Sequence, residues 1–195
     1  MIEKVTVPEG QIGIYKIAKI EIPDNPIERY RYALSGRNYV PGTYTFLHRG
    51  NTLVMSDTPD EMSDHYPAVR NAKGHCLVVG LGIGMVLNAV LRKPEVEKVT
   101  VVELSSEVLE LVAGHYNELY PGKIEFIQAD ILEWKPPKDV YYNMAWFDIW
   151  DDLCIDNLEQ MAKLHRRFGK KAEWKGSWGK SYLQAQKRRE RQGLW

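Results

Sequence analysis

Cys76-Leu77-Val78-Val79-Gly80-Leu81-Gly82-Ile83-Gly84-Met85-Val86-Leu87-Asn88-Ala89-Val90-Leu91 decides the fold, and its pattern carries on to Tyr116. Cys76 to Val79 is a short apolar run, as in a strand buried on both faces. The glycines follow at once, and Met85 to Leu91 then reads as a buried helix. Arg92-Lys93-Pro94 ends it, with positive charge at the negative helix pole and a proline just beyond. Val99-Thr100-Val101-Val102 predicts a second strand with Glu103 at its carboxyl end. Ser105 is placed to cap the next helix, whose Val108, Leu111, Val112 and Tyr116 share one face.

Chemistry follows from that order of elements. Open parallel sheets bind ligands beyond the carboxyl ends of their strands. Glycines at 80, 82 and 84 let a ligand approach the backbone at a helix N-terminus. Glu103 follows them by roughly twenty residues, the spacing of an acid that accepts hydrogen bonds from ribose hydroxyls. The plainer reading is a tight turn with no ligand; a strand before, a helix after and the acid in place count against it. A dinucleotide fingerprint wants a small sixth residue, and Met85 stands there.

The Gly-x-Gly-x-Gly spacing instead resembles the class I S-adenosylmethionine-dependent transferases. The resemblance implies S-adenosylmethionine as cofactor, held at Gly80, Leu81, Gly82, Gly84, Glu103 and Leu104. Lys123 to Gln128 reads as a third strand, closed by Ala129-Asp130-Ile131. By the same resemblance Asp130 takes the adenine amino group and Ile131 packs on the ring. A helix cap or turn is the plainer role for Asp130.

Composition sets the bounds. The 195 residues suit one domain with an appendage, and 26 basic residues balance 26 acidic ones. No run approaches the roughly eighteen apolar residues of a membrane span, and no signal sequence is read at the start. Two distant cysteines, Cys76 and Cys154, suggest a reducing compartment without a disulfide, and a cytoplasmic location. The five histidines lack metal-ligand spacing, so no metal is expected.

Residues 1–70 form a predicted N-terminal β module, and residues 71–195 the Rossmann-like cofactor-binding domain. Val5 to Val7 and Ile12 to Ile22 alternate as strands around a turn at Pro8-Glu9-Gly10. Ile27 to Leu34 suits a short helix, and Thr43 to Leu47 pairs with Thr52 to Ser56 across His48-Arg49-Gly50-Asn51. Asp60-Glu61 and a short helix then lead to the first core strand. This succession resembles the spermidine synthase family over residues 43–152. Asp60 and Glu61 read equally well as a helix start stabilised by its dipole. One residue departs from that family: its aminopropyltransferases carry an Asp in the glycine loop, which holds the aminopropyl group, where this chain has Ile83. The loop therefore resembles that of a methyltransferase handling the full methionine tail.

Tyr142 to Phe147 predicts a fourth strand that delivers Asp148 and Asp151 to the same sheet edge. Spermidine synthases place two acids at this spacing to hold and deprotonate an amine, so the resemblance implies a catalytic base at Asp148 with Asp151 as its partner. The plainer reading makes Asp151 or Asp152 a helix cap. Trp146 and Trp150 read as core or cavity wall. Asp156 to Phe168 predicts a helix, Ala172 to Trp174 a fifth strand followed by a loop, and Ser181 to Arg191 a basic closing helix. Lys163 to Arg191 holds eleven Lys/Arg against two Asp/Glu. Such a run attracts nucleic acid, but a solvated tail is the commoner outcome and is favoured here. The expected fold is α/β, a Rossmann-like class I methyltransferase fold truncated at its C-terminal side, with strand order three-two-one-four-five. Its uncovered edge suggests a homo-oligomer. The expected function is methyl transfer to a small amine or other polar acceptor; aminopropyl transfer and non-catalytic cofactor binding are the alternatives.

Overall fold

The computed structural model describes residues 2–35 and 40–193. The N-terminal part holds β1 (Gly10–Ile12), β2 (Tyr15–Ile22), α1 (Pro26–Ser35), β3 (Gly42–Arg49) and β4 (Thr52–Ser56). These strands form one antiparallel sheet in the order β1-β2-β3-β4. Two short helices, α2 (Pro59–Asp64) and α3 (Tyr66–Asn71), lead on from it. The second sheet is built from β5 (Gly74–Val79), β6 (Val96–Glu103), β7 (Ile124–Gln128), β8 (Tyr142–Phe147) and β9 (Ala172–Ser177). Its helices are α4 (Met85–Leu91), α5 (Ser106–Leu119), α6 (Asn157–Arg167) and α7 (Lys180–Arg191). All its pairings are parallel, in the order β7-β6-β5-β8-β9, which is the expected three-two-one-four-five. This is a Rossmann-like methyltransferase fold with an antiparallel four-stranded sheet at its N-terminal side.

The apolar run of β5 has a direct cause. β5 lies between β6 and β8, and helices cover both faces, so side chains of either parity are buried. Cys76 and Val78 enter the cluster that contains α4 and the inner face of α5; Leu77 and Val79 enter the one that contains Met161, Leu164 and Leu183 of α6 and α7. Every residue of α4 is buried, which is why Met85 to Leu91 lacks a polar face. Ser105 caps α5 as its type predicts, its hydroxyl oxygen accepting from the Val108 amide at 3.1 Å.

The N-terminal sheet does not stand apart. Val5, Val7, Ile17 and Leu47 bury themselves in the same cluster as Val78, Leu87 and Val112. Asp57, fully buried, ties the segment down by accepting from the Val5 amide at 2.9 Å and the Thr45 amide at 2.6 Å.

Three local expectations change. Val5 to Val7 is not a strand, because its amide at Val5 is held by a carboxylate instead of a ladder partner. The Ile12–Ile22 run is broken at Gly13, and the hairpin turns there, not at Pro8-Glu9-Gly10. β9 continues through Ser177, where a loop was expected from Lys175. The Trp146 and Trp174 rings, stacked 6.3 Å apart, occupy the space where a side chain at position 176 would go, so Gly176 belongs to the strand. No helix among the described residues is long and apolar enough to cross a membrane.

Candidate functional site

The carboxyl ends of β5, β6, β7 and β8 open into a cavity of about 380 Å³. Gly80, Gly82, Glu103, Leu104, Asp130, Ile131, Asp148 and Asp151 all line it. Residues drawn from four separate strand ends thus converge as the pattern predicts. Leu81 and Gly84 do not line it. The Leu81 side chain is buried in the core, and its amide serves the site by donating to Glu103.

The glycines have reasons of their own. Gly80 has φ of 88°, and a Cβ there would collide with the Asp148 carbonyl. Gly84 has φ of 74° as the N-cap of α4, and a Cβ there would enter the Tyr116 ring. That ring is locked by its hydroxyl, which donates to the Ile83 carbonyl at 2.9 Å. The Gly82 position is packed by Met55 of β4. The loop is therefore compressed between sheet, helix and N-terminal module, and only Gly80 and Gly82 present backbone to the cavity. Ile83 turns into the core with no exposed surface. It cannot reach a ligand.

Glu103 is held from two sides. Oε2 accepts from the Leu81 amide at 2.7 Å and Oε1 from the Ser105 amide at 2.9 Å. A carboxylate offers about four lone-pair sites, so two amides fix its orientation and leave capacity for a diol. Asp130 forms an Asx turn, Oδ1 accepting from the Leu132 amide at 2.8 Å. The turn role read for it is present, and its other oxygen has no partner among the described hydrogen bonds. The exposed Leu104 and the buried Ile131 supply apolar wall around these two acids.

At the β8 end the electrostatics change. The Asp148 side chain is 12% exposed. Burial, reinforced by Glu61 and Asp64 of α2 and by Glu103, pushes its carboxyl up to about 8. His65 is 1% exposed, its Nε2 lies 3.7 Å from Asp148 Oδ2, and neither ring nitrogen has a hydrogen-bond partner among the described residues. Burial lowers this imidazole to about 4, so both groups are uncharged near neutrality and do not form an ion pair. Glu61 is itself engaged, accepting from the Ser56 amide at 2.8 Å and the Ser56 hydroxyl at 2.6 Å.

Asp151 is no helix cap, since α6 begins six residues on; its Oδ2 accepts from Arg49 Nη2 at 2.5 Å. Arg49, Tyr15, Leu47, Val54 and Met55 bring the N-terminal sheet into the cavity wall. Trp146 lies in the core and Trp150 lines the cavity, its indole N–H donating to Gln160 Oε1 at 2.9 Å.

No protein-family model matches the sequence, and no curated protein is matched. Solved structures are matched. The chain is similar to spermidine synthase from Thermotoga maritima, with TM-score 0.50 and 16% identity over 86% of this chain and 53% of that one. It is also similar to the N-methyltransferase NodS from Bradyrhizobium japonicum WM9 in complex with S-adenosyl-L-homocysteine. There the TM-score is 0.46 and the identity 15%, over 60% of this chain and 58% of that one. The tRNA (m1A58) methyltransferase TrmI from Aquifex aeolicus gives 0.42 and 16%, over 54% and 41%. The chain spans 58% or less of the length of each. At such identities the likeness is one of fold, and the fold is that of the class I S-adenosylmethionine-dependent transferases.

Proposed function

We propose that the protein is an S-adenosylmethionine-dependent methyltransferase acting on a small amine or another polar acceptor. One observation carries this reading: an oriented acid at the β6 end, an acid beside an apolar residue at the β7 end, and a buried acid at the β8 end share one cavity. The residues present fit the cofactor. Glu103 would take the ribose hydroxyls, Asp130 the adenine amino group, and Leu104 and Ile131 the ring faces. Bound there, the cofactor supplies an electrophilic methyl group.

The chain's own residues supply placement and proton transfer. A cluster of carboxylates draws a cationic acceptor toward the β8 end. Asp148, held near neutrality by burial and its acidic neighbours, is matched to removing a proton from an ammonium group. An arriving cation stabilises its ionised form, so the base is made when the acceptor binds. Trp150 closes the wall beside it.

Aminopropyl transfer is the second reading, favoured by the Asp148 and Asp151 spacing and by the N-terminal sheet. The burial of Ile83 weighs against it. Incubation with S-adenosylmethionine or its decarboxylated form, and a panel of polyamines and nucleic acids, tests both by mass spectrometry. Gain of one methyl group is expected. Gain of an aminopropyl group overturns the methyl reading, and no product with binding intact supports a non-catalytic role.

A further inference from the structure

Among the described cavity walls, four acidic side chains stand against one cation. Glu103, Asp130 and Asp151 and the uncharged Asp148 are the acids, and Arg49 is the cation. Arg49 ends β3, directly opposite Tyr15 in the ladder with β2. Its guanidinium reaches Asp151, which follows β8 of the other sheet, and the Tyr15 side chain lines the same wall. Both members of the ion pair are part-exposed, at 40% and 39%, so the bridge itself holds little energy. A guanidinium carries five donors in a planar fork, and one carboxylate leaves donors unused.

The sheet order gives the direction in which a bound nucleoside runs. Asp130 follows β7, Glu103 ends β6, Gly80 follows β5, and Asp148 and Asp151 follow β8. With adenine at the β7 end and ribose on Glu103, whatever is attached to the ribose continues toward β5 and β8. Arg49 stands there. An amino-acid tail ends in an ammonium and a carboxylate; a decarboxylated tail ends in the ammonium alone. In a cavity walled by acids a carboxylate is repelled unless a cation meets it.

We propose that Arg49 reads the α-carboxylate of the methionine tail, so that the cavity selects S-adenosylmethionine over its decarboxylated form. This rests on the cofactor reading above and deepens it. Arg49 does so as a specificity determinant contributed by the N-terminal sheet. Asp151 competes for the same fork and moderates the affinity.

The test is calorimetric titration of the folded chain, without acceptor, using S-adenosylhomocysteine and its decarboxylated counterpart S-adenosyl-3-thiopropylamine. The wild type is expected to bind the first roughly tenfold or more tightly than the second, the scale of one charge-assisted hydrogen bond. Arg49→Gln should remove that preference by weakening S-adenosylhomocysteine alone, and Arg49→Lys should restore part of it. Asp151→Asn should tighten S-adenosylhomocysteine, a change opposite in sign to any folding defect. Equal wild-type affinities, or an Arg49→Gln variant that weakens both ligands alike, would overturn the assignment. So would intact S-adenosylhomocysteine binding in Arg49→Gln with a raised KM for acceptor only, which moves the residue to the acceptor side. If neither ligand binds the wild type, the cofactor reading itself fails, and the inference with it.

Discussion

At Asp148, burial and three neighbouring carboxylates act in the same direction, all against ionisation. A carboxyl raised from 3.8 to about 8 binds a proton in the folded state that the unfolded chain has already released. Stability therefore falls as pH rises across that window, the reverse of an ordinary salt-bridged aspartate. Asp148→Asn removes the penalty. Its melting temperature should exceed that of the wild type at pH 8.5, by the equivalent of a few kcal/mol, with the gap shrinking toward pH 5. Scanning calorimetry at the two pH values decides this; a constant gap means that Asp148 ionises freely. For the reaction, kcat/KM should climb with pH through about 8 and lose that limb in the Asn variant. A variant that keeps full turnover removes Asp148 from the mechanism.

Between the elements, a single buried carboxylate does more than the ladders to place the N-terminal segment. Asp57 accepts from Val5, ahead of β1, and from Thr45 in β3, and nothing else holds the Val5 amide among the described bonds. Asp57→Ala leaves two buried amides unpaired and should cost roughly 2–4 kcal/mol in urea denaturation. A loss under about 0.5 kcal/mol would place the anchoring in Val5 and Val7 packing instead. This clamp was not legible in the sequence, because a lone Asp before Thr-Pro reads as a loop residue. The parallel sheet was legible, since burial on both faces leaves continuous apolar runs such as Cys76–Val79 and Met144–Phe147. So were the acids that end strands, whose places follow from strand order alone. Arg49, Tyr15 and His65 were not. Tyr15 and Arg49 reach the site through the packing of one sheet on another, and His65 through the junction of α2 and α3; the residues beside them in sequence carry no signal of either.

Taken as one molecule, the chain buries Ile17 and Leu47 of one sheet together with Val78 and Val101 of the other. A shared core of this kind predicts one cooperative unfolding transition. Coincident fluorescence and far-ultraviolet circular dichroism melts are expected; two separated transitions would mean that the modules fold independently. The same packing lets Arg49 and Met55 complete a cavity whose floor belongs to the Rossmann-like sheet. The basic surplus lies on α6, β9 and α7, and α7 is docked by the buried Leu183. There Lys180 Nζ lies 2.9 Å from His165 Nδ1, and His165 Nε2 lies 2.8 Å from Ser177. The basic closing helix expected over Ser181 to Arg191 is present as α7, with Leu183 buried beneath its charged outer face.

The proposed occupant of this cavity is an adenosyl thioether and not a dinucleotide. Isothermal titration of the wild type and Glu103→Ala with S-adenosylhomocysteine and with NAD tests it most directly. One S-adenosylhomocysteine per chain is expected, weakened by roughly 1–3 kcal/mol in Glu103→Ala, with no NAD binding. Tight NAD binding with none of the thioether would contradict it.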